Sequence, residues 1–123
     1  MIRVLIVEDE PRVRRCLRQR LELEPDLDVV AEAADGDGAL AAIRSRSVDV
    51  VLMDVRLPGR DGLEVTDELR RLALPVGVVI HTLHDSPSVR ARAAELGAPV
   101  IAKGEPDEPL LDALRAMAGA RPA

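Results

Sequence analysis

Phenylalanine, tyrosine and tryptophan are all absent from this chain of 123 residues. With no ring to stack on a base or to enclose a flavin, the chain is a poor candidate for single-stranded nucleic-acid binding or flavin chemistry. Cysteine occurs once, as Cys16, which excludes an internal disulfide and a multi-cysteine metal site. Its place inside a helical pattern predicts a small buried hydrophobe. No apolar stretch is long enough to span a membrane. The apolar N-terminal run Ile2 to Val7 meets Glu8 and Asp9, too soon for a signal peptide. A cytoplasmic protein with no membrane partner is therefore expected. A formal net charge of −5 disfavours non-specific binding to DNA or anionic lipid. Lysine is scarce too: of 17 basic residues only Lys103 is not arginine.

What remains is aliphatic. Apolar residues make up 47% of the chain, so Leu, Val, Ile and Ala must build the core, and the length suits one domain. Ile2 to Val7 reads as a first strand. Pro11 suits a first helical position, and Val13, Cys16, Leu17 and Leu21 then recur at helical spacing until Pro25-Asp26. Strands are expected at 29–33, 48–53, 76–81 and 99–102. Between them come an Asp35-Gly-Asp-Gly turn before the apolar face Ala39 to Ile43, a helix opened by Asp61 with Glu64 as a capping box, and a helix capped by Ser86 and closed by Gly97. A last helix carries Leu110, Leu111, Leu114 and Met117. Strands alternating with helices imply a doubly wound α/β fold, a parallel sheet covered on both faces.

The carboxyl edge of such a sheet is where ligands collect. Glu8 and Asp9 follow the first strand, Asp54 the third, Thr82 the fourth and Lys103 the fifth. Taken singly, each has a bland reading: helix-cap charges, a strand-end turn residue, a cap hydroxyl, a solvated lysine. Together they place three carboxylates, a hydroxyl and an ammonium at one crevice. A hard divalent cation relieves crowded carboxylates, and Mg²⁺ suits one or two of them with waters and a phosphate oxygen. A carboxylate beside it can attack phosphorus, since phosphoryl transfer needs chiefly alignment and charge neutralisation.

The motifs Val4-Leu-Ile-Val-Glu8-Asp9-Glu-Pro11, Glu32-Ala-Ala-Asp-Gly36 with Ala39-Leu40, and Val51-Leu-Met-Asp54-Val-Arg-Leu-Pro-Gly-Arg-Asp-Gly-Leu63-Glu64 carry a resemblance completed by Thr82, Gly97-Ala98, Lys103 and Leu110-Leu-Asp-Ala113. Over essentially its whole length the chain resembles a response-regulator receiver domain of two-component signalling, of the NarL/LuxR-type subgroup. The resemblance implies a flavodoxin-like strand order 2-1-3-4-5 over residues 1–119, with 120–123 a frayed end or the start of a linker. It implies that Asp54 is the phosphoacceptor. Mg²⁺ would be held by Asp9 directly, by Glu8 through water, by Asp54 and by the backbone carbonyl of Arg56. Thr82 would be the switch hydroxyl and Lys103 the phosphate-pairing lysine. The donor would be a phosphohistidine on a sensor histidine kinase, and a second copy of the chain is a further candidate partner. Such a domain phosphorylates and dephosphorylates itself on Asp54 and is not a turnover enzyme.

Three departures stand out. Val100 occupies the position, three before Lys103, where receivers usually carry Tyr or Phe, and the Gly97 to Lys103 loop is about one residue short. Gly104 follows Lys103 where many receivers have a cis proline. The subgroup also continues into a helix-turn-helix DNA-binding domain that these residues do not contain, so either a stand-alone receiver or a piece of a longer regulator is implied, with DNA reached only indirectly. The first two favour an alternative, a pseudo-receiver that works as an interaction module without phosphorylation. An aspartate-nucleophile phosphatase of the haloacid-dehalogenase type requires a second Asp where Arg56 stands, and Glu8-Asp9-Glu10 replaces the Gly-rich loop of a dinucleotide site. His81 is expected on a strand face and His84 in an exposed loop. The basic first helix (Arg12, Arg14, Arg15, Arg18, Arg20) is expected to be a solvated face with Arg18–Glu22 and Arg20–Glu24 pairs, a docking surface for the kinase being the sharper option.

Overall fold

A computed structural model describes residues 1–119; the segment 120–123, expected as a frayed end or linker, lies outside them. The chain alternates β1 (Ile2–Val7), α1 (Pro11–Glu22), β2 (Leu27–Ala33), α2 (Gly36–Ser45), β3 (Val50–Met53), α3 (Gly62–Arg71), β4 (Gly77–Thr82), α4 (Pro87–Glu95), β5 (Val100–Ala102) and α5 (Asp107–Gly119). The strands form one sheet in the order β2-β1-β3-β4-β5, and every pairing is parallel. This is the doubly wound arrangement expected from the alternation, in the flavodoxin-like order that the resemblance implies.

Successive strand residues point to opposite faces, and the sequence supplies aliphatic side chains for both. Leu5, Val7, Val51, Met53, Val78 and Ile80 pack under α2, α3 and α4 against Leu40, Val65, Leu69 and Ala93. Val4, Ile6, Val50, Leu52 and Val79 pack on the other face against Leu21, Leu110, Leu111 and Leu114. All four residues of β3 are buried, which explains its unbroken apolar run. The helices start where their caps stand. Asp35 accepts from the Gly38 N–H and Ser86 from the Val89 N–H, while Asp61 and Glu64 close both halves of a capping box.

Strand boundaries differ from expectation for local reasons. β3 begins at Val50 rather than Val48 because Asp49 is occupied with Arg3: the Arg3 N–H donates to the Asp49 carboxylate and the Asp49 N–H to the Arg3 carbonyl, each at 2.8 Å. β2 starts at Leu27, where Ile2 and Arg3 of β1 find register partners in Leu27 and Asp28; the exposed Asp28 masked that start. β4 runs through Thr82, which pairs with Ala102, so Thr82 ends the strand instead of following it. β5 begins at Val100, since Pro99 has no N–H to donate although its carbonyl accepts from Ile80 at 2.9 Å.

Two side-chain expectations are corrected. Cys16 is exposed, because the stripe of α1 that meets the sheet runs through Leu17 and Leu21 and Cys16 stands about 100° off it. The arginines of α1 are not simply solvated. The Arg18–Glu22 and Arg20–Glu24 pairs form as expected, but Arg18 also reaches Glu32 and the Val29 carbonyl, Arg20 reaches Asp107, and Arg14 reaches Glu32 and the Glu8 carbonyl. Arg12 and Arg15 stay exposed.

Candidate functional site

Asp54 follows the last residue of the central strand β3. Its N–H donates to the Val7 carbonyl of β1 at 3.1 Å, and its carbonyl lies against the first turn of α3. A Cβ added to Gly62 would stand 1.9 Å from the Asp54 carbonyl oxygen, so only glycine lets α3 approach this closely. The carboxylate is buried, at 6% exposure. Oδ2 accepts a hydrogen bond from Lys103 Nζ at 2.8 Å, whereas Oδ1 is the one buried side-chain polar atom among the described residues without a hydrogen-bond partner. A desolvated carboxylate oxygen left unmatched is costly, and its position invites a ligand.

Lys103 comes from the end of β5 and is held in place through its backbone, with its N–H donating to the Thr82 carbonyl at 2.9 Å. Its ammonium bridges Asp54 and Glu8. Burial alone would pull the ammonium below its usual value, but the hydrogen bonds and charges of Asp54 and Glu8 outweigh that and hold it above. Glu8 is buried more deeply, and loss of hydration pushes its carboxyl above the ordinary range even though Lys103 and the Glu10 N–H oppose the shift. The structure brings Glu8, Asp9 and Asp54 together so that one carboxylate oxygen from each lies within 4.8 Å of the others. Glu8 and Asp54 are buried and Asp9 is exposed, so this acidic cluster opens to solvent on one side. A shared hard cation fits that donor set and the unmatched Oδ1, because oxygen ligands and retained waters are what Mg²⁺ takes.

A crevice of about 290 Å³ lies over the cluster, lined by Glu8, Asp9, Asp54, Arg56, Lys103 and, beyond the predicted residues, Glu10, Val13, Leu83 and His84. Thr82 is adjacent but does not line the crevice. It is fully buried, and its hydroxyl accepts from the His84 N–H at 3.0 Å. His84 is exposed and His81 buried, as expected for a loop and a strand-face residue. Burial and the Lys103 charge lower the His81 imidazole to about 4. Gly104 adopts φ +90°, a conformation closed to proline, and no peptide bond among the described residues is cis. Sequence reasoning missed Leu83, an exposed apolar residue whose proximity follows only from the turn after β4. It also missed Arg14, which carries no motif and reaches Glu8 only through the packing of α1.

No helix among the described residues is long and apolar enough to cross a membrane. The profile of the response regulator receiver domain matches residues 4–115. The nitrate/nitrite response regulator protein NarP of Escherichia coli strain K12 is 39% identical over 116 residues, covering 94% of this chain and 54% of NarP. The chain thus spans about half the length of the curated relatives it matches. Among solved structures, the signal receiver domain of NarL from Mycobacterium tuberculosis superposes with a TM-score of 0.91 at 33% identity, covering 98% of both chains. A LuxR-family two-component response regulator from Aurantimonas sp. SI85-9A1 gives 0.89 at 34% identity, covering 97% of this chain and 86% of that one. With the sheet order, the acidic cluster and the matched profile in agreement, the chain belongs to the response-regulator receiver domain family, in its NarL/LuxR-type branch.

Proposed function

We propose that Asp54 accepts a phosphoryl group from the phosphohistidine of a sensor histidine kinase in a Mg²⁺-dependent step, and that the modified domain acts as a signalling switch. The observation that carries this reading is the division of labour within one carboxylate: Oδ2 is held by Lys103 while the buried Oδ1 has no partner. Asp9, Asp54, the Arg56 carbonyl and, through water, Glu8 would hold Mg²⁺, which when bound neutralises the charge of the transferring group. One oxygen of the Asp54 carboxylate attacks phosphorus, the P–N bond to the donor imidazole breaks as the O–P bond forms, and the imidazole, protonated on its other nitrogen, leaves with the bonding pair as a neutral ring. Lys103 stays protonated and follows the charge from the carboxylate to the phosphoryl oxygens. The added group of about −1.5 to −2 charge would draw the Thr82 hydroxyl from the His84 N–H toward the phosphoryl oxygen. Net turnover of a substrate is not part of this reading; the domain phosphorylates and dephosphorylates itself. By analogy with relatives described as response regulators and transcriptional regulatory proteins, the output would be transcription, through a helix-turn-helix domain outside these residues, with a homodimer as the candidate active assembly.

The direct test is incubation with acetyl phosphate and Mg²⁺, read by intact mass, beside Asp54→Asn. One phosphoryl group on the wild type and none on the variant is expected. A wild type that gains no mass sinks the switch reading and favours the second one, a phosphorylation-independent interaction module. Val100 in place of the usual ring, and the left-handed Gly104 after Lys103, are the features that favour that second reading.

A further inference from the structure

We infer that Arg14, anchored by Glu32, is a positioning residue that sets the affinity of the acidic cluster for Mg²⁺. This rests on the metal site proposed above and assigns a new residue to it. Arg14 projects from the first turn of α1, and its guanidinium joins two groups at once. Nη1 donates to the Glu8 carbonyl at 2.7 Å and Nε to Glu32 Oε1 at 3.1 Å. The second oxygen of Glu32 is taken by Arg18, which also donates to the Val29 carbonyl of β2 at 3.1 Å. The Glu8 carbonyl belongs to the peptide that leads into Asp9, so gripping it fixes the direction in which the Asp9 side chain leaves the backbone. Asp9 is exposed, and the turn itself is what orients it.

The rest of the turn is held from other sides. The Glu8 N–H donates to the Ala33 carbonyl at 3.0 Å, and the Arg14 N–H donates to the Glu10 carbonyl at 3.0 Å. The Glu10 N–H donates to Glu8 Oε2 at 3.0 Å. Arg14 supplies the remaining hold, on the one carbonyl between the two acidic residues. Its planar fork suits the task, since donors in fixed geometry can bridge a carboxylate and a carbonyl, whereas an ammonium on a flexible stem is a single point. Outer groups that orient metal ligands commonly change affinity about 10–100-fold when removed.

Charge and position predict opposite signs here, which makes the inference testable. Arg14 is a cation near a cation site, so its removal strengthens Mg²⁺ binding if its effect is Coulombic alone. Removal weakens binding if it positions the turn. Calorimetric Mg²⁺ titration of the unphosphorylated protein, wild type beside Arg14→Ala, Arg14→Lys and Glu32→Gln, separates the two. The expected result is affinity about 10-fold or more weaker in Arg14→Ala and a smaller loss in Arg14→Lys and Glu32→Gln. In acetyl phosphate labelling, the half-saturating Mg²⁺ concentration rises by the same factor while the rate at saturating Mg²⁺ stays at the wild-type value. Unchanged or tighter Mg²⁺ binding overturns the inference, and so does a labelling rate that stays low at saturating Mg²⁺. If Arg14→Ala does not fold, Arg14→Lys decides the matter: it keeps the charge, so a Coulombic effect alone leaves Mg²⁺ affinity at the wild-type value, whereas loss of the fork's grip on the turn weakens it. A wild type that takes up no Mg²⁺ overturns the metal site itself and the inference with it, a result distinct from failure of the variants alone.

Discussion

Lys103 Nζ lies 2.8 Å from Asp54 Oδ2, joining the ends of β5 and β3, and the same ammonium also contacts Glu8. One half-buried cation therefore serves two buried carboxylates. Replacing it by an isosteric apolar side chain, Lys103→Met, leaves both carboxylates without a countercharge. A loss of about 3 kcal/mol in unfolding free energy is expected, measured by urea denaturation. Mg²⁺ at millimolar concentration should restore part of that stability in the variant, and more than it adds to the wild type. Equal Mg²⁺ effects in the two proteins would contradict the shared-countercharge account.

Gly62 is expected to tolerate no side chain. Its missing Cβ leaves room for the Asp54 carbonyl, which a methyl group would meet at 1.9 Å. Because the obstruction is backbone rather than a flexible side-chain tip, Gly62→Ala must push α3 away from β3. The expected cost is about 3 kcal/mol, at the upper end for overpacking, read as a lowered denaturation midpoint. By contrast, Gly59→Ala near the same loop has open space around its Cβ; its cost comes from φ +75° and should be about 1 kcal/mol.

His81 links stability to pH. Burial holds its imidazole at about 4, below the unfolded value of about 6.5. The folded state thus binds fewer protons than the unfolded one. Its contribution is fully present above pH 6.5 and is lost as pH falls from there to about 4. Up to about 3 kcal/mol disappears across that window. In His81→Leu the fall in unfolding free energy between pH 7 and pH 4.5 should be visibly shallower, as measured by chemical denaturation at each pH. An identical slope would remove His81 from the acid sensitivity of the fold.

Arg70 ties α3 to α4. Its guanidinium donates to the Leu96 carbonyl at the end of α4 and to the Val76 carbonyl before β4, at 2.9 and 2.8 Å. Burial alone lowers its basicity, without a compensating carboxylate. α4 buries little apolar surface, Ala93 being its buried residue, so this tie is a large part of what seats it. Arg70→Met should cost about 1–3 kcal/mol by orphaning the two carbonyls. Faster amide hydrogen exchange confined to α4 and the Gly97 turn is the accompanying signature; uniform acceleration across the sheet would argue for a global effect.

Local chemistry made much of this chain legible. Caps at Asp35, Asp61 and Ser86 mark helix starts because an N-terminal N–H needs a nearby acceptor, a demand met within a few residues of sequence. Continuous aliphatic runs mark strands covered on both faces. Boundaries slipped where a partner distant in sequence intervened: Arg3 took Asp49 out of β3, and Ala102 drew Thr82 into β4.

The alternation of strand and helix, the parallel sheet it entails, and the placing of Glu8, Asp9, Asp54 and Lys103 at one edge are all written in the linear order of residues. Those follow from periodicity and from the right-handed crossover, which leave little choice of topology. Tertiary structure alone decided that Lys103 bridges Asp54 and Glu8, that one oxygen of Asp54 is left without a partner, that Cys16 faces outward, and that Arg14 grips the acidic turn. Each depends on distances of a few ångströms between residues far apart in the chain, and such distances are set by packing, which no local pattern encodes.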